Sequence, residues 1–276
     1  MRIARFVRSD DKSQGTPSYA FVEKDKSDGK DYLVEFDGYL FSKQQVQLTG
    51  KRYPVDGEGI RLLAPVLPSK VYGVMKNYRQ PGAPDDPAAD AADRMLVFSK
   101  PSTAVCGPDD PIVMPTWAQS IHFEAEVAVV IGRITRNVSE RNALQHVLGY
   151  TCVNDVTAYG IEGKDPFLVR AKGFDTACPL GPWIQTNLDP RNAHLHMSLN
   201  GQEQPKAAGT TANLIHSIAQ QISFISTFAT LLPGDVILTG CADPTGEMHD
   251  RDEAVVTVDE IGSLRNVVLR PQTDED

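Results

Sequence analysis

The chain is short of the features that mark several large protein classes. Its 276 residues hold four cysteines, and Cys106, Cys152, Cys178 and Cys241 form no CxxC pair. Scattered thiols argue against a disulfide framework or a zinc ribbon, and for free thiols in a reducing compartment. Positive charge is in deficit: 27 Lys and Arg stand against 36 Asp and Glu, giving a net charge of −9. Neither nucleic acid nor an anionic membrane is the expected partner, because both require a basic face. No apolar run approaches the length that spans a bilayer, and MRIARFVRSDDKSQG has no apolar core of a signal peptide. The expected location is the cytoplasm. There is no GxGxxG, no GxxxxGK[ST] and no βαβ alternation, so nucleotide-binding folds are excluded. No internal repeat is present.

What remains is strand-rich. SYAFVEKD and YLVEFDGYLF read as short strands around the charged turn KDKSDGKD. LLAPVLPSK (62–70), with two prolines, reads as a connector. The expectation is a small β-rich unit over 1–68 and a larger unit over 69–276. VYGVMKNY (71–78), LVFSKPS (96–102), TCVNDVT (151–157), DVILTG (235–240) and the hairpin EAVVTVDEIGSLRNVVLR (253–270) continue the strand pattern. Ser139 is placed to cap a short helix over 139–150. In 211–232, apolar residues at 214, 215, 218, 222, 225 and 228 have helical spacing, stopped by Pro233-Gly234-Asp235. The fold class is therefore α+β, mostly β.

One stretch raises a chemical question. In HFEAEVAVVIG (122–132), Glu124 and Glu126 open an apolar strand. Alternation points both to one face, opposite Phe123, Ala125 and Val127. Two like charges beside a core need compensation. Asp155, in Val153-Asn154-Asp155-Val156, is a third acid in an apolar setting. Two readings stand on spacing alone. The acids lie on a solvated face and pair with Lys or Arg, or they hold a divalent cation. Oxygen-only ligation suits Mg²⁺, Mn²⁺ or Ca²⁺ better than Zn²⁺.

The ordered blocks FSKPSTAVCGPDDPIVMP, HFEAEVAVVIG, GYTCVNDVTA, RAKGFDTACPLGPWI and LLPGDVILTG resemble the fumarylacetoacetate hydrolase family, over residues 71 to about 270. The resemblance implies a mixed β-roll with a small leading domain, a homodimer, and a small-molecule substrate with a 2-oxo acid or 1,3-dicarbonyl unit. It implies Mg²⁺ or Mn²⁺, with Ca²⁺ also compatible, on Glu124, Glu126 and Asp155. It places an active-site lysine at Lys172 and substrate contacts at Asn77, Tyr78, Tyr159, Lys172 and Cys241. The family's chemistry runs through an enolate stabilised by the cation and the lysine.

The sequence departs from the family at three places. The His and Glu of the loop NYxxHxxE, which activate water in the hydrolases, are Pro81 and Pro84 here. In NDVxARDxQ, Tyr159 replaces the Arg, Gly160 the Asp and Glu162 the Gln. In TGTP, Cys241 replaces the Thr. The six histidines offer no obvious replacement dyad. His194 and His196 share a face outside the matching blocks, His216 falls in the expected long helix, His122 precedes the two glutamates, and His249 follows the last block. The expectation is decarboxylation or keto–enol isomerisation, with Lys172, Glu162 and Tyr159 as catalytic candidates. The alternatives are a C–C hydrolase of an acylpyruvate-like substrate with a replacement base from Glu162, His249 or a partner chain, and an inactive metal-binding structural or regulatory homologue.

Overall fold

The apolar run after Glu124 becomes the strand Ala125–Ile131, and every residue of it is buried. Burial on both faces is the mark of a central strand. It pairs antiparallel with Val147–Asn154 on one side and Val236–Leu238 on the other. Val127, Val129 and Ile131 face one apolar cluster, which includes Leu195, Val256 and Ile222. Ala128 and Val130 face a second, with Val71, Leu180 and Leu238. The two-residue period of the strand thus separates two cores.

The computed structural model describes residues 1–9, 15–41, 45–79, 90–242 and 245–271. Its large sheet has twelve strands. From one edge the order is Gln47–Pro54, Asp31–Asp37, Ser18–Lys24, Arg2–Arg8, Cys178–Gln185, Val147–Asn154, Ala125–Ile131, Val236–Leu238, Val71–Met75 and Leu96–Lys100. Ile60–Leu63 and Val105–Cys106 pair off this path. A six-stranded sheet is built around His194–Leu199, Glu253–Val258 and Gly262–Leu269. A small sheet of three strands, Thr157–Tyr159, Ser120–Phe123 and Gly246–Met248, lies in sequence beside the acidic residues. The fold is mostly β, as the strand pattern indicates.

The leading residues are joined to the rest by more than a connector. Arg2–Arg8 pairs with Cys178–Gln185 through Arg2↔Gln185 and Ile3↔Ile184. Backbone pairing therefore crosses the division near residue 68 that the sequence suggests.

The expected helix over 211–232 is shorter than its apolar spacing implies. The α-helix covers Ile218–Phe228, preceded by a 3₁₀ turn at Thr211–Asn213. Ser217 starts it with a full capping box: its hydroxyl accepts from Gln220 N at 3.3 Å, and Gln220 Oε1 accepts from Ser217 N at 2.8 Å. Residues 214–216 are taken up elsewhere. Leu214 bridges to Tyr78, and Ile215 N donates to Asn77 O at 2.7 Å. His216 consequently lies before the helix, not in it, and is buried. Glu140–Ala143 is a single helical turn; Ser139 holds its N-cap position without a side-chain capping bond. Among the described residues, no helix is long and apolar enough to cross a membrane. All four cysteines are free, and only Cys241 is not fully buried.

Both halves of the Ser217 capping box satisfy N–H groups that the helix itself cannot. Ser217→Ala is expected to cost about 0.5–2 kcal/mol, read as a lower urea midpoint with an unchanged far-ultraviolet spectrum.

Candidate active site

Glu124 sits in a one-residue gap between Ser120–Phe123 and Ala125–Ile131. Its N–H donates to Asn154 Oδ1 at 2.9 Å, and its carbonyl accepts from Asp155 N at 2.9 Å. This exchange, continued by the Ala125↔Asn154 pair, sets Asp155 beside Glu124 although 30 residues separate Glu124 from Asn154. Glu126 is on the same strand and is 2 % exposed. Its Oε2 accepts from Gly240 N at 2.7 Å. Gly240 has φ +99°, and an added Cβ would lie 2.8 Å from Asn77 Cβ and 3.0 Å from Val74 O. A side chain there would disturb the N–H that holds Glu126.

Lys172 meets these acids from the short helix Val169–Gly173. Asp165 caps that helix, its carboxylate accepting from the N–H groups of Val169, Arg170 and Ala171 at 3.0, 2.9 and 2.8 Å. The Lys172 ammonium donates to Glu124 Oε2 at 2.8 Å and to Asp155 Oδ2 at 2.6 Å. Below it lies the Phe98 ring, 4.8 Å from Nζ. Gly73 makes room for that ring, since a Cβ there would stand 2.1 Å from it. A second buried ammonium, Lys100, lies 2.6 Å from Asp155 Oδ1 and donates to the carbonyls of Val156 and Ala177 at 3.0 and 2.6 Å. Thr157 Oγ1 donates to Glu124 Oε1 at 2.6 Å.

The charges do not balance. Glu126 and Asp155, both buried, and the partly buried Glu124 face two ammonium groups, so one negative charge is in excess when all three carboxylates are ionised. Burial drives the Glu126 carboxyl well above its ordinary range, and the Asp155 and Glu124 charges drive it further. Burial also raises Glu124, with Lys172 working against the rise. Asp155 goes the other way: burial opposes its ionisation, but Lys100 and Lys172 together keep it below the usual carboxylate range. Burial disfavours the Lys172 ammonium, yet Asp155 and Glu124 overcome that and hold it above the ordinary lysine value.

These groups line a cavity of about 550 Å³. Tyr78, Tyr159, Thr157, Phe98 and Cys241 complete the wall around them, and the exposed Lys76 stands at its edge. Tyr159 is half-buried, with its ring 4.3 Å from that of His122. Burial and then the Glu124 charge raise the Tyr159 phenol. The sequence reading thus brings together Glu124, Glu126, Asp155, Lys172, Tyr78, Tyr159 and Cys241. Asn77 is a correction. It is fully buried and outside the cavity wall. Its Nδ2 donates to His216 O and Thr239 O at 3.1 and 2.8 Å, and its Oδ1 accepts from His216 N at 2.7 Å. With its amide spent on backbone groups, Asn77 is a clamp, not a substrate contact. Glu162 lies in the 3₁₀ turn Glu162–Lys164, with its side chain outside the described residues. His249 is exposed beside Glu247, and His122 turns to Tyr159 and Thr245. Asn154, Asp165 and Lys100 were missed. Their partners lie on other segments, and nothing local in the sequence announces such contacts.

Residues 70–269 match the C-terminal domain of fumarylacetoacetate (FAA) hydrolase, and residues 1–65 match an Rv2993c-like N-terminal domain. The chain belongs to the fumarylacetoacetate hydrolase family. A family member from Escherichia coli, the oxaloacetate tautomerase YcgM, is 36% identical over 205 residues, covering 69% of this chain and 89% of its own. The crystal structure of 5-carboxymethyl-2-hydroxymuconate delta-isomerase from Mycobacterium smegmatis is 39% identical. It superposes with a TM-score of 0.85 over 98% of this chain and 100% of its own. A maleylpyruvate hydrolase from Sphingobium sp. SYK-6, solved with manganese(II) and pyruvate, shares the fold at 24% identity. Its TM-score is 0.76, over 99% of this chain and 100% of its own. In this chain Pro81 and Pro84, where the sequence analysis expects the family's His and Glu, lie outside the described residues.

Lys100 is 1 % exposed and neutralises Asp155 from below the site. Removing one partner of a buried ion pair leaves an uncompensated charge. Lys100→Met is expected to cost about 3–5 kcal/mol in a urea titration, though Lys100 does not line the cavity.

Proposed function

We propose that the protein is a divalent-metal-dependent tautomerase of a small 2-oxo dicarboxylic acid. The single observation that carries this reading is the Lys172 ammonium, buried on the cavity wall and shared by Glu124 and Asp155. The donor set fits a hard cation. Glu124, Glu126 and Asp155 would hold it, because three clustered carboxylates, once all ionised, exceed the two ammonium groups by one charge. A bound divalent cation supplies Lewis-acid stabilisation of negative charge on substrate oxygen. Lys172 has three N–H donors, two of them given to Glu124 and Asp155, and the third would donate to the substrate's keto oxygen. It favours the enolate over the ketone because charge on that oxygen is larger in the enolate. As an ammonium, Lys172 donates hydrogen bonds to that oxygen and has no lone pair with which to act as a base at carbon.

Two further facts support tautomerisation over hydrolysis. Proline at 81 and 84 has no side-chain base, and general-base help is worth about 10²–10⁴-fold in rate. Tyr159 stands where the family's hydrolases carry Arg, so a bidentate carboxylate clamp is replaced by a phenol. Relatives named as a tautomerase and an isomerase favour the same class. The cavity of about 550 Å³ is ample for a four-carbon acid and its shell.

The test follows deuterium entry at the carbon beside the keto group of oxaloacetate in heavy water, with Mg²⁺ or Mn²⁺, against buffer and metal alone. Acetylpyruvate is incubated in parallel. The wild type is expected to accelerate exchange and to release no acetate. Lys172→Met is expected to lose about tenfold to a hundredfold in exchange rate, the worth of one charge-assisted hydrogen bond. Fast acetate release, or a Lys172→Met variant as fast as wild type, would refute the reading.

A further inference from the structure

Lys76 follows the strand Val71–Met75 with φ +53°, a left-handed backbone that a residue with a Cβ adopts only at a cost. Its neighbours impose it. Met75 pairs with Leu96, and the Asn77 side chain is clamped to the backbone of His216 and Thr239 while Ile215 N donates to the Asn77 carbonyl. Residues held in such backbone cluster at ligand sites. Lys76 fits that pattern, because it is exposed and stands at the edge of the acidic cavity. A second observation gives it a task. The other charged groups on the cavity wall are committed. Lys172 donates to Glu124 and Asp155, Glu126 accepts from Gly240 N, and the Asp165 carboxylate accepts from three N–H groups. No described carboxylate pairs with Lys76. Val74, Phe98, Ile161 and Leu168 add only apolar wall.

We propose that Lys76 receives the substrate carboxylate that lies beyond the reacting carbon, and so makes the site select 2-oxo dicarboxylates over 2-oxo acids with one carboxylate. The inference rests on the tautomerase reading given above and assigns its substrate selectivity. A 2-oxo dicarboxylate held at the acidic end of the cavity by its keto oxygen and the adjoining carboxylate still carries a second carboxylate. That group needs a counter-ion of its own, because the rest of the wall is acidic, committed or apolar. Lys76 is the lysine on the wall that can supply it without breaking an ion pair with a described carboxylate. It touches no reacting atom, and the distal carboxylate keeps its charge throughout tautomerisation. Its contact is therefore as strong in the ground state as in the transition state, and it acts on KM, leaving kcat unchanged.

The experiment uses the full chain with Mg²⁺ in heavy water. Deuterium entry beside the keto group is followed over a range of concentrations of oxaloacetate and of its 4-methyl ester, which lacks only the distal charge. Wild type, Lys76→Met and Lys76→Arg are compared, each over buffer and metal alone. Lys76→Met keeps the Cβ and the length of the side chain, so its urea midpoint should match wild type. Its KM for oxaloacetate is expected to rise about tenfold, between the worth of an exposed ion pair and that of a buried charge-assisted bond. Its kcat should stay within about twofold, and its KM for the ester should stay that of wild type, because binding without the distal charge does not use Lys76. Lys76→Arg keeps the charge and should restore the oxaloacetate KM to within about threefold. An unchanged oxaloacetate KM in Lys76→Met, or an equal rise for the ester, would overturn the inference and leave the tautomerase reading standing. Failure of wild type to accelerate exchange with either compound would overturn the tautomerase reading itself, and this inference with it.

Discussion

A single ammonium group shared between two carboxylates holds the site together. At about 4 Å and an effective dielectric near 20, each pair of like charges costs about 4 kcal/mol. Glu124, Glu126 and Asp155 would repel one another strongly without Lys172 and Lys100. Much of the surrounding structure serves to place that one nitrogen. Asp165 caps the turn of helix that carries it, Phe98 supports it from below, and Gly73 leaves space for Phe98. The strand pairing that puts Asn154 against Glu124 brings the acids to it. The remaining imbalance falls on Glu126, whose carboxyl burial and the neighbouring charges drive towards its neutral form.

How much of this could be read from sequence follows from the range of each interaction. The central strand was legible because its apolar run and its two acids are contiguous in HFEAEVAVVIG. The acids and Lys172 came through the ordered blocks of a family. The helix was over-read because Leu214 and Ile215 fit a 3.6-residue period while serving another purpose, the strap to Tyr78 and Asn77. Asn77 was misassigned for a related reason. A primary amide can bind a substrate or the backbone equally well, and the choice is made by His216 and Thr239, both more than 130 residues away. Lys100, a lone cation in SKPS, gave no local signal; its partners Asp155, Val156 and Ala177 are distant in the chain.

The site separates into two parts with different fates. The part that holds charge, comprising the three acids and the lysine, keeps the family's residue types. The positions at which the sequence analysis expects the family's dyad and arginine clamp carry Pro81, Pro84 and Tyr159. Charge stabilisation by preorganised groups operates without a hydrolytic base. Cys241 belongs to neither part by type: it replaces a hydroxyl with a softer atom at the edge of the charged group.

The leading strands have a consequence for how the protein could be divided. Ile3 and Phe36 pack in the cluster that also holds Val130 and Leu238, while Phe6 and Leu33 pack in the other. The pairing of Arg2–Arg8 with Cys178–Gln185 finishes the large sheet on that side. An excised 69–276 fragment would carry a freshly opened sheet edge and two cores missing part of their lining. Open edges beside apolar surface are templates for pairing with other chains. The leading strands thus cover an edge and complete the core lining of the larger unit.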